Sequence, residues 1–271
     1  MYIMSFFTEA RPAAHIARSE DLINWEILNN GEPVIEFSES DGKIVRDPFI
    51  LRDKSGVFRM FFTDNWRSQS LGYSYSDDLS SWSKPEFLPV ASDLPPVQNC
   101  WAPECVYDEQ NDRYLLFWSS RVLSELESGP RMDRMYYRAT KDFINYSETK
   151  VLFAPGYPVI DASIYRHEGR YYMCFKDERG HNGPDTDFKA LRTCTSDNAA
   201  GPYEGISELL THNLCEGPTI IRKNGKFVVF YDAFRQKYYG AMESDDFVNF
   251  TDVTDKYEFP KDCKHCTVIE I

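Results

Sequence analysis

Acidic side chains stand at the start of short apolar segments that are far apart in the sequence. Asp47, Glu104, Asp161 and Glu216 each precede such a segment. A carboxyl group donates a proton in one state and accepts one in the other. Carboxyl groups that share a site and differ in pKa can therefore divide the roles of acid and base. Whether these four meet depends on the elements that carry them.

A short pattern close to Ser-Asp-Asp-Leu-x-x-Trp occurs five times along the chain. The clear copies are Ser19–Trp25, Ser76–Trp82 and Ser244–Phe250, and the weaker ones are Thr140–Tyr146 and Ser196–Tyr203. The copies begin 48 to 64 residues apart, and the interval from the last copy round through the termini to the first is similar. Repeats of about 40 to 50 residues indicate a repeat fold such as a propeller.

Upstream of most copies lies a hairpin pattern, in which a short apolar strand, a polar turn and an aromatic strand follow one another. The hairpins are Pro48–Thr63, Cys105–Ser119, Ser163–Phe175 and Thr219–Tyr231. His265–Ile271 supplies one further strand, and Tyr2–Phe7 and His15–Ser19 can supply its partners. The sequence therefore predicts an all-β, five-bladed β-propeller over residues 1–271, closed by pairing of the N-terminal strands with the C-terminal strand. A β-sandwich with coincidental turns is the alternative.

In a propeller the first strand of each blade lines the central channel, so the starts of these strands converge on one axis. Asp47, Asp161 and Glu216 then stand at equivalent places in three blades. Burying like charges together is costly and moves their pKa values apart. Packing alone does not require such an arrangement, so the three carboxylates are candidates for chemistry.

Composition limits the partners of the protein. The net charge is −13, and no basic run offsets it, so a nucleic-acid partner is not expected. Neutral small molecules or glycans fit better, and the longest apolar stretches are too short for a membrane helix. Seven irregularly spaced cysteines do not imply a disulfide framework. With no signal peptide evident at the start, we expect a cytoplasmic protein, or a periplasmic or secreted one if a leader has been removed.

The strand starts carry a family resemblance over nearly the whole chain. It is carried by Arg46-Asp-Pro-Phe-Ile50, Trp101-Ala-Pro-Glu104, Ile160-Asp-Ala-Ser163, Glu216-Gly-Pro-Thr-Ile220 and His265-Cys-Thr-Val-Ile269. In order and spacing the sequence resembles glycoside hydrolase family 43, five-bladed propellers that remove arabinofuranosyl or xylosyl units from plant polysaccharides.

The resemblance implies an inverting, single-displacement hydrolysis. Asp47 would be the general base that activates water, and Glu216 the general acid that protonates the leaving oxygen. Asp161 would raise the pKa of the acid and orient it. Inversion needs the acid and base about 6.5 to 9.5 Å apart with water between them, a gap that blades on either side of a channel can provide.

The resemblance also implies a role for His265, which matches a histidine that often helps to hold a hydrated calcium or sodium ion in the central channel. Here Cys266 stands where the family usually has Gly, which weakens that expectation. No other cofactor is expected. The alternative is a zinc site at Cys263-x-x-Cys266, although a single Cys-x-x-Cys is poor evidence for zinc.

The remaining candidates are for substrate binding. Trp66 and Trp101 could form the pocket wall, because sugar rings stack on aromatic faces. Arg46, Glu104, Lys176 and Arg192 could bond sugar hydroxyls, and Ser119–Asp133 and Glu178–Asp187 are predicted loops over the pocket. Partial cover would favour exo-action. The oligomeric state is not indicated.

Three other functions stay open at this point. The retaining fructosidases share the propeller and the Arg-Asp-Pro and Glu-Cys pairs, but their upstream Asn-Asp-Pro is absent here. A non-catalytic glycan-binding propeller has no need of three carboxylates. Phosphorolysis of mannosides needs a basic phosphate pocket, which the sequence does not show.

Overall fold

The computed structural model describes residues 1–126, 132–183 and 185–271 and consists of five antiparallel sheets. Blade I contains β4 (Arg46–Arg52), β5 (Phe58–Thr63), β6 (Leu71–Ser76) and β7 (Glu86–Leu88); blade II contains β8 (Trp101–Asp108), β9 (Arg113–Arg121), β10 (Asp133–Thr140) and β11 (Lys150–Phe153); blade III contains β12 (Val159–His167), β13 (Arg170–Asp177) and β14 (Ala190–Ser196); blade IV contains β15 (Glu216–Lys223), β16 (Lys226–Ala233), β17 (Tyr238–Ser244) and β18 (Thr251–Asp252); blade V contains β19 (Cys263–Glu270), β1 (Tyr2–Thr8), β2 (His15–Ser19) and β3 (Glu26–Ile27). A single turn of α-helix, α1 (Leu123–Leu126), follows β9. The predicted five-bladed propeller is confirmed.

Blade V joins the two ends of the chain. Strand β1 pairs on one side with β19, from Tyr2 opposite Glu270 to Thr8 opposite Cys263, and on the other side with β2. This is the predicted closure of the ring. Both edges of β1 are therefore hydrogen-bonded, which removes an exposed sheet edge.

The repeated Ser-Asp-Asp pattern is the turn after the third strand of a blade. In blade I the Ser76 hydroxyl accepts a hydrogen bond from the Leu79 N–H at 2.9 Å, and the Asp78 carboxylate accepts from the next two amides along the chain. Leu79 has a φ of 67° and is buried. Leu22, Phe143 and Phe247 take the same conformation at the same place in their copies. Short polar side chains that bond nearby amides explain why the pattern recurs.

The first strand of every blade is bulged near its start. The pairing register with the neighbouring strand shifts at the same place in all five blades. At each of these register shifts one residue has a positive φ: Asp47, Ala102, Asp161, Gly217 and His265. A bulge turns a side chain out of its normal alternation, so this device can aim residues at the channel mouth.

The hydrophobic core lies between adjacent blades. Phe61 of blade I and Trp118 of blade II, both almost fully buried, belong to one such cluster, and Met4 and Phe230 belong to the cluster between blades V and IV. All seven cysteines are buried and carry free thiols. No helix among the described residues is long and apolar enough to cross a membrane.

Candidate active site

The starts of the inner strands surround a cavity of about 440 Å3 at one end of the channel. All three predicted catalytic carboxylates line it: Asp47 from blade I, Asp161 from blade III and Glu216 from blade IV. His265 from blade V lines it too. The fold thus brings together residues that are up to 218 positions apart, counting from 47 to 265.

Asp47 is held by two neighbours. Its Oδ1 lies 3.2 Å from Nδ1 of His265, and its Oδ2 accepts a hydrogen bond from the Thr63 hydroxyl at 2.7 Å. Burial raises the pKa of Asp47, but His265, Arg46 and Thr63 outweigh it and hold that pKa at about 2. Asp47 is therefore an ionised carboxylate throughout the neutral range, the state that a general base requires.

Asp161 is the most deeply buried of the three, with 6% of its surface exposed. Burial raises its pKa to about 6; His265 and Lys176 lower it, while Glu216 and Asp47 add to the rise. Its Oδ2 accepts a long hydrogen bond of 3.4 Å from the Gly217 N–H. Asp161 therefore contacts the backbone beside Glu216, which suits the orienting role that the resemblance implies. Its predicted effect on the pKa of the acid stays a prediction.

Glu216 is the most accessible of the three, with 26% of its side chain exposed. Its Oε2 accepts a hydrogen bond of 2.7 Å from Nζ of Lys176. Lys176 is buried and also lies 3.1 Å from Glu178. Although burial lowers the pKa of Lys176, the surrounding carboxylates raise it above its ordinary value. A permanent cation thus fixes the orientation of Glu216.

The sequence predicted equivalent positions for the three carboxylates in their blades, and for Glu216 this was wrong by one residue. Asp47 and Asp161 occupy the positive-φ position of their bulges, whereas in blade IV that position belongs to Gly217 and Glu216 precedes it. The side chain of Glu216 consequently starts one residue earlier on its strand. This offset follows from the glycine, because only a residue without a Cβ fits against His265 there.

Two predicted substrate-binding residues lie outside the cavity. Glu104 is buried farther down the channel beside a separate space of about 430 Å3, where burial raises its pKa well above the ordinary value. Arg192 is bound to Asp177 at 2.9 Å and to the Ser207 carbonyl at 2.7 Å. Glu104 lies two residues beyond the bulge of its strand, so its side chain points farther down the channel. The guanidinium of Arg192 binds groups within blade III and does not reach the cavity.

The other predicted binding residues line the cavity. Trp66 and Trp101 meet edge to face with ring centroids 6.1 Å apart, and Nε1 of Trp101 donates to the Trp66 carbonyl at 3.2 Å. The Arg46 guanidinium lies 4.3 Å from the centroid of Trp66 and 4.5 Å from that of Phe7. Trp66 has 55% of its surface exposed, so part of its ring is open at the cavity.

Of the two predicted loops, Glu178–Asp187 reaches the cavity through Glu178 and Asn182. Residue 184 of that loop and residues 127–131 of the predicted Ser119–Asp133 loop lie outside the described part of the chain.

Several cavity residues were not anticipated from the sequence. Asp232 stands directly opposite Glu216 on β16, and its Oδ1 accepts a hydrogen bond of 3.2 Å from Lys264. Burial and the Glu216 charge raise the pKa of Asp232 to about 7, against the pull of Lys264. The cross-strand register gives a signal for such residues. The second strands of blades I and IV place Thr63 and Asp232 opposite the residue before the bulge, and Lys176 has the same place in blade III.

The described residues do not suit direct ligation of a metal by His265. Nδ1 of His265 lies 3.2 Å from Oδ1 of Asp47, and Asp47, Asp161 and Glu216 raise the pKa of His265 to about 10 against the effect of burial, so this nitrogen serves the carboxylate of Asp47 as a proton donor. Within the described ranges no group of three or more His, Cys, Asp or Glu residues is arranged to hold a metal ion. A cation held only through water stays a prediction.

Gly217 is required by its surroundings. Its φ is +56°, and a Cβ at this place would lie 2.7 Å from Cγ of His265. We expect Gly217→Ala to displace His265 and with it Asp47, lowering kcat/KM at least tenfold. The matched control is Gly225→Ala, where φ is also positive (+82°) but a Cβ meets nothing within 4 Å. Both variants should lose about 1–2 kcal/mol in urea unfolding from backbone strain. Equal activities of the two variants would contradict the packing argument.

The chain thus forms a five-bladed propeller with three carboxylates at the mouth of its channel. Residues 1–271 match the model of a family related to glycoside hydrolase family 43 and described as "Probable glycosyl hydrolase domain". The chain belongs to that family of glycosyl hydrolases, a class of protein that acts on carbohydrate.

The chain is similar to several named proteins. It is 25% identical to an alpha-L-arabinofuranosidase of Bifidobacterium longum subsp. longum over 62% of this chain and 18% of the relative. It therefore aligns with less than a fifth of that protein. Among solved structures, an exo-beta-1,3-galactanase from Clostridium thermocellum superposes with a TM-score of 0.67 at 13% identity, over 93% of this chain and 58% of the other. An arabinanase from Bacillus subtilis gives 0.57 at 14% identity, over 74% and 72%. At these identities the structures support the fold.

Proposed function

We propose that the protein is an inverting, exo-acting glycoside hydrolase that removes terminal arabinofuranosyl or xylosyl units from plant-type oligo- and polysaccharides. The observation that carries the proposal is the convergence of Asp47, Asp161 and Glu216 on one cavity, with Glu216 the most accessible of them. Three buried or half-buried carboxylates are costly to place together, and the reaction gives each a use.

In the proposed reaction a water molecule lies between Asp47 and the anomeric carbon. Asp47 accepts a proton from the water as its oxygen bonds to that carbon. The bond from the anomeric carbon to the leaving oxygen breaks, and Glu216 donates its proton to that oxygen. The second sugar leaves as an alcohol, and the configuration of the anomeric carbon is inverted. A proton from solvent then returns to Glu216, and Asp47 releases its proton.

The choice of sugar is supported by the similarity to an alpha-L-arabinofuranosidase, an activity that the motifs also imply. The exposed Trp66 ring and the cation of Arg46 beside it provide one stacking surface and hydrogen-bond donors, the combination that sugar-binding pockets use. A cavity of about 440 Å3 is within the range of pockets that take small ligands, consistent with a terminal unit.

Proton NMR of the reaction tests the mechanism. Aryl glycosides and oligosaccharides of arabinofuranose, xylose and galactose are supplied in turn, and the first anomeric signal of the released sugar is recorded. We expect release of arabinose or xylose with inverted configuration. Retention would overturn the single displacement and favour a fructosidase-like double displacement. Sugar binding without turnover on any glycoside would favour a non-catalytic propeller.

A further inference from the structure

A second cavity opens from the first between blades IV and V. It measures about 880 Å3, twice the volume of the first, and the two share five lining residues: Glu9, Asp232, Phe234, Arg235 and Lys264. The second cavity continues along the hairpin turn 234–237, the start of β17 and the segment 257–263. We call this continuation the blade IV–V groove.

The groove begins on the side of Glu216. Asp232, which stands opposite Glu216 in the β15–β16 ladder, lines both spaces. In the proposed reaction the leaving oxygen is the atom that Glu216 protonates. The part of the bound substrate beyond that oxygen must therefore extend out of the first cavity on this side.

Aromatic rings line the groove. Tyr238 has 38% of its surface exposed, while Phe234 and Phe259 are half-buried. The ring of Phe234 also lies 5.0 Å from Nζ of Lys176, which binds Glu216. The aromatic lining thus starts beside the lysine that binds the proposed acid and extends outward, as a chain of sugar rings would require.

The charges along the groove are of both signs. Arg235 and Lys237 are balanced by Glu9 and Asp262, and within the described chain none of these four side chains forms an ion pair or a side-chain hydrogen bond. Together they present donors and acceptors without a net charge. Such a surface suits the hydroxyl groups of neutral sugars, whereas a polyanionic chain would meet Glu9 and Asp262.

We propose that the blade IV–V groove binds the leaving-group side of a neutral glycan, at least two sugars long, whose terminal unit occupies the first cavity. The proposal rests on the proposed function for the direction in which the chain runs. The groove contributes to specificity through binding energy remote from the reacting atoms, which can raise kcat/KM.

The test uses arabino-oligosaccharides, xylo-oligosaccharides and β-1,3-galacto-oligosaccharides of two to five sugars. For the series that is cleaved we expect kcat/KM to rise about tenfold from two sugars to four. Tyr238→Ala should reduce that rise to less than threefold, and Tyr238→Phe, which keeps the ring, should retain it. The control is Tyr75→Ala, which removes a tyrosine that is 44% exposed and lines neither cavity; it should keep the full rise.

Calorimetric binding of the three oligosaccharide series to Asp47→Asn separates the two proposals. Turnover that is independent of length, and equal in Tyr238→Ala and Tyr75→Ala, would overturn the groove and leave the hydrolase standing. Affinity that rises with length and falls with Tyr238→Ala, without turnover in the wild type, would support the groove and overturn the hydrolase. Absence of both binding and turnover would overturn both.

Discussion

Replacing Glu216 by glutamine should lower kcat on an oligosaccharide about a thousandfold, the usual scale of a lost general acid. Glutamine keeps the shape of the side chain and an oxygen for Lys176, which now binds Oε2 at 2.7 Å. It removes the proton that the leaving oxygen needs. Steady-state kinetics with aryl glycosides provides the diagnostic measurement: the loss should shrink as the phenol becomes a better leaving group, because such a group departs without protonation.

The matched control is Asp232→Asn. Asp232 is the neighbouring carboxyl across the ladder, its pKa is raised to about 7 by burial and by Glu216, and it lines the same cavity. It is thus the competing candidate for the acid. If Asp232→Asn showed the dependence on the leaving group and Glu216→Gln did not, the role of acid would pass to Asp232.

The architecture was predictable because local side-chain hydrogen bonds determine the turn that repeats from blade to blade. Each copy of the Ser-Asp-Asp turn fixes its own backbone with side-chain bonds, as Ser76 and Asp78 do, so the turns are visible without tertiary information. Their spacing then gives the number of blades. The closing strands were recognisable because Tyr2–Phe7 and His265–Ile271 are strand-like segments that no predicted hairpin uses, and the two segments do pair in the structure.

The site was predictable only where its residues stand on the inner strands. Asp47, Asp161 and Glu216 precede recognisable strands, but the direction of a side chain depends on the bulge, which the sequence does not reveal. This is why Glu104, two residues beyond its bulge, lies deeper than expected and Glu216 is offset by one. Asp232 entered the site as the cross-strand partner of Glu216 within blade IV, and Lys264 entered it through a contact between blades IV and V that exists only once those blades have packed.

The pair formed by Asp47 and His265 should make the stability of the fold depend on pH. The pKa of His265 rises from its ordinary 6.5 to about 10 in the folded protein, where Asp47 and other carboxylates outweigh burial. The stabilisation from His265 is therefore complete below pH 6.5 and is lost as the pH rises through 10. The pKa of Asp47 falls from 3.8 to about 2, so its contribution is present above pH 3.8 and is lost as the pH falls through 2. The pair stabilises the fold most between about pH 4 and 6.5.

Asp47→Asn should abolish turnover and, at pH 6, lower the free energy of unfolding by about 3 kcal/mol, because a buried cation loses its partner. Between pH 6.5 and 8.5 the wild type should lose stability with a slope of up to about 1.4 kcal/mol per pH unit, and the variant should show a smaller slope. Urea unfolding at several pH values measures both effects.

Asp53→Asn is the matched control for this slope, since Asp53 is also buried and lies 2.7 Å from Arg59, a partner that does not titrate in this range. It should lower stability yet keep the wild-type slope. A wild-type stability that does not change between pH 6.5 and 8.5 would mean that His265 is neutral in the folded protein. The imidazole would then have a lone pair free for a metal ion, and the fit of a channel metal to His265 would be restored.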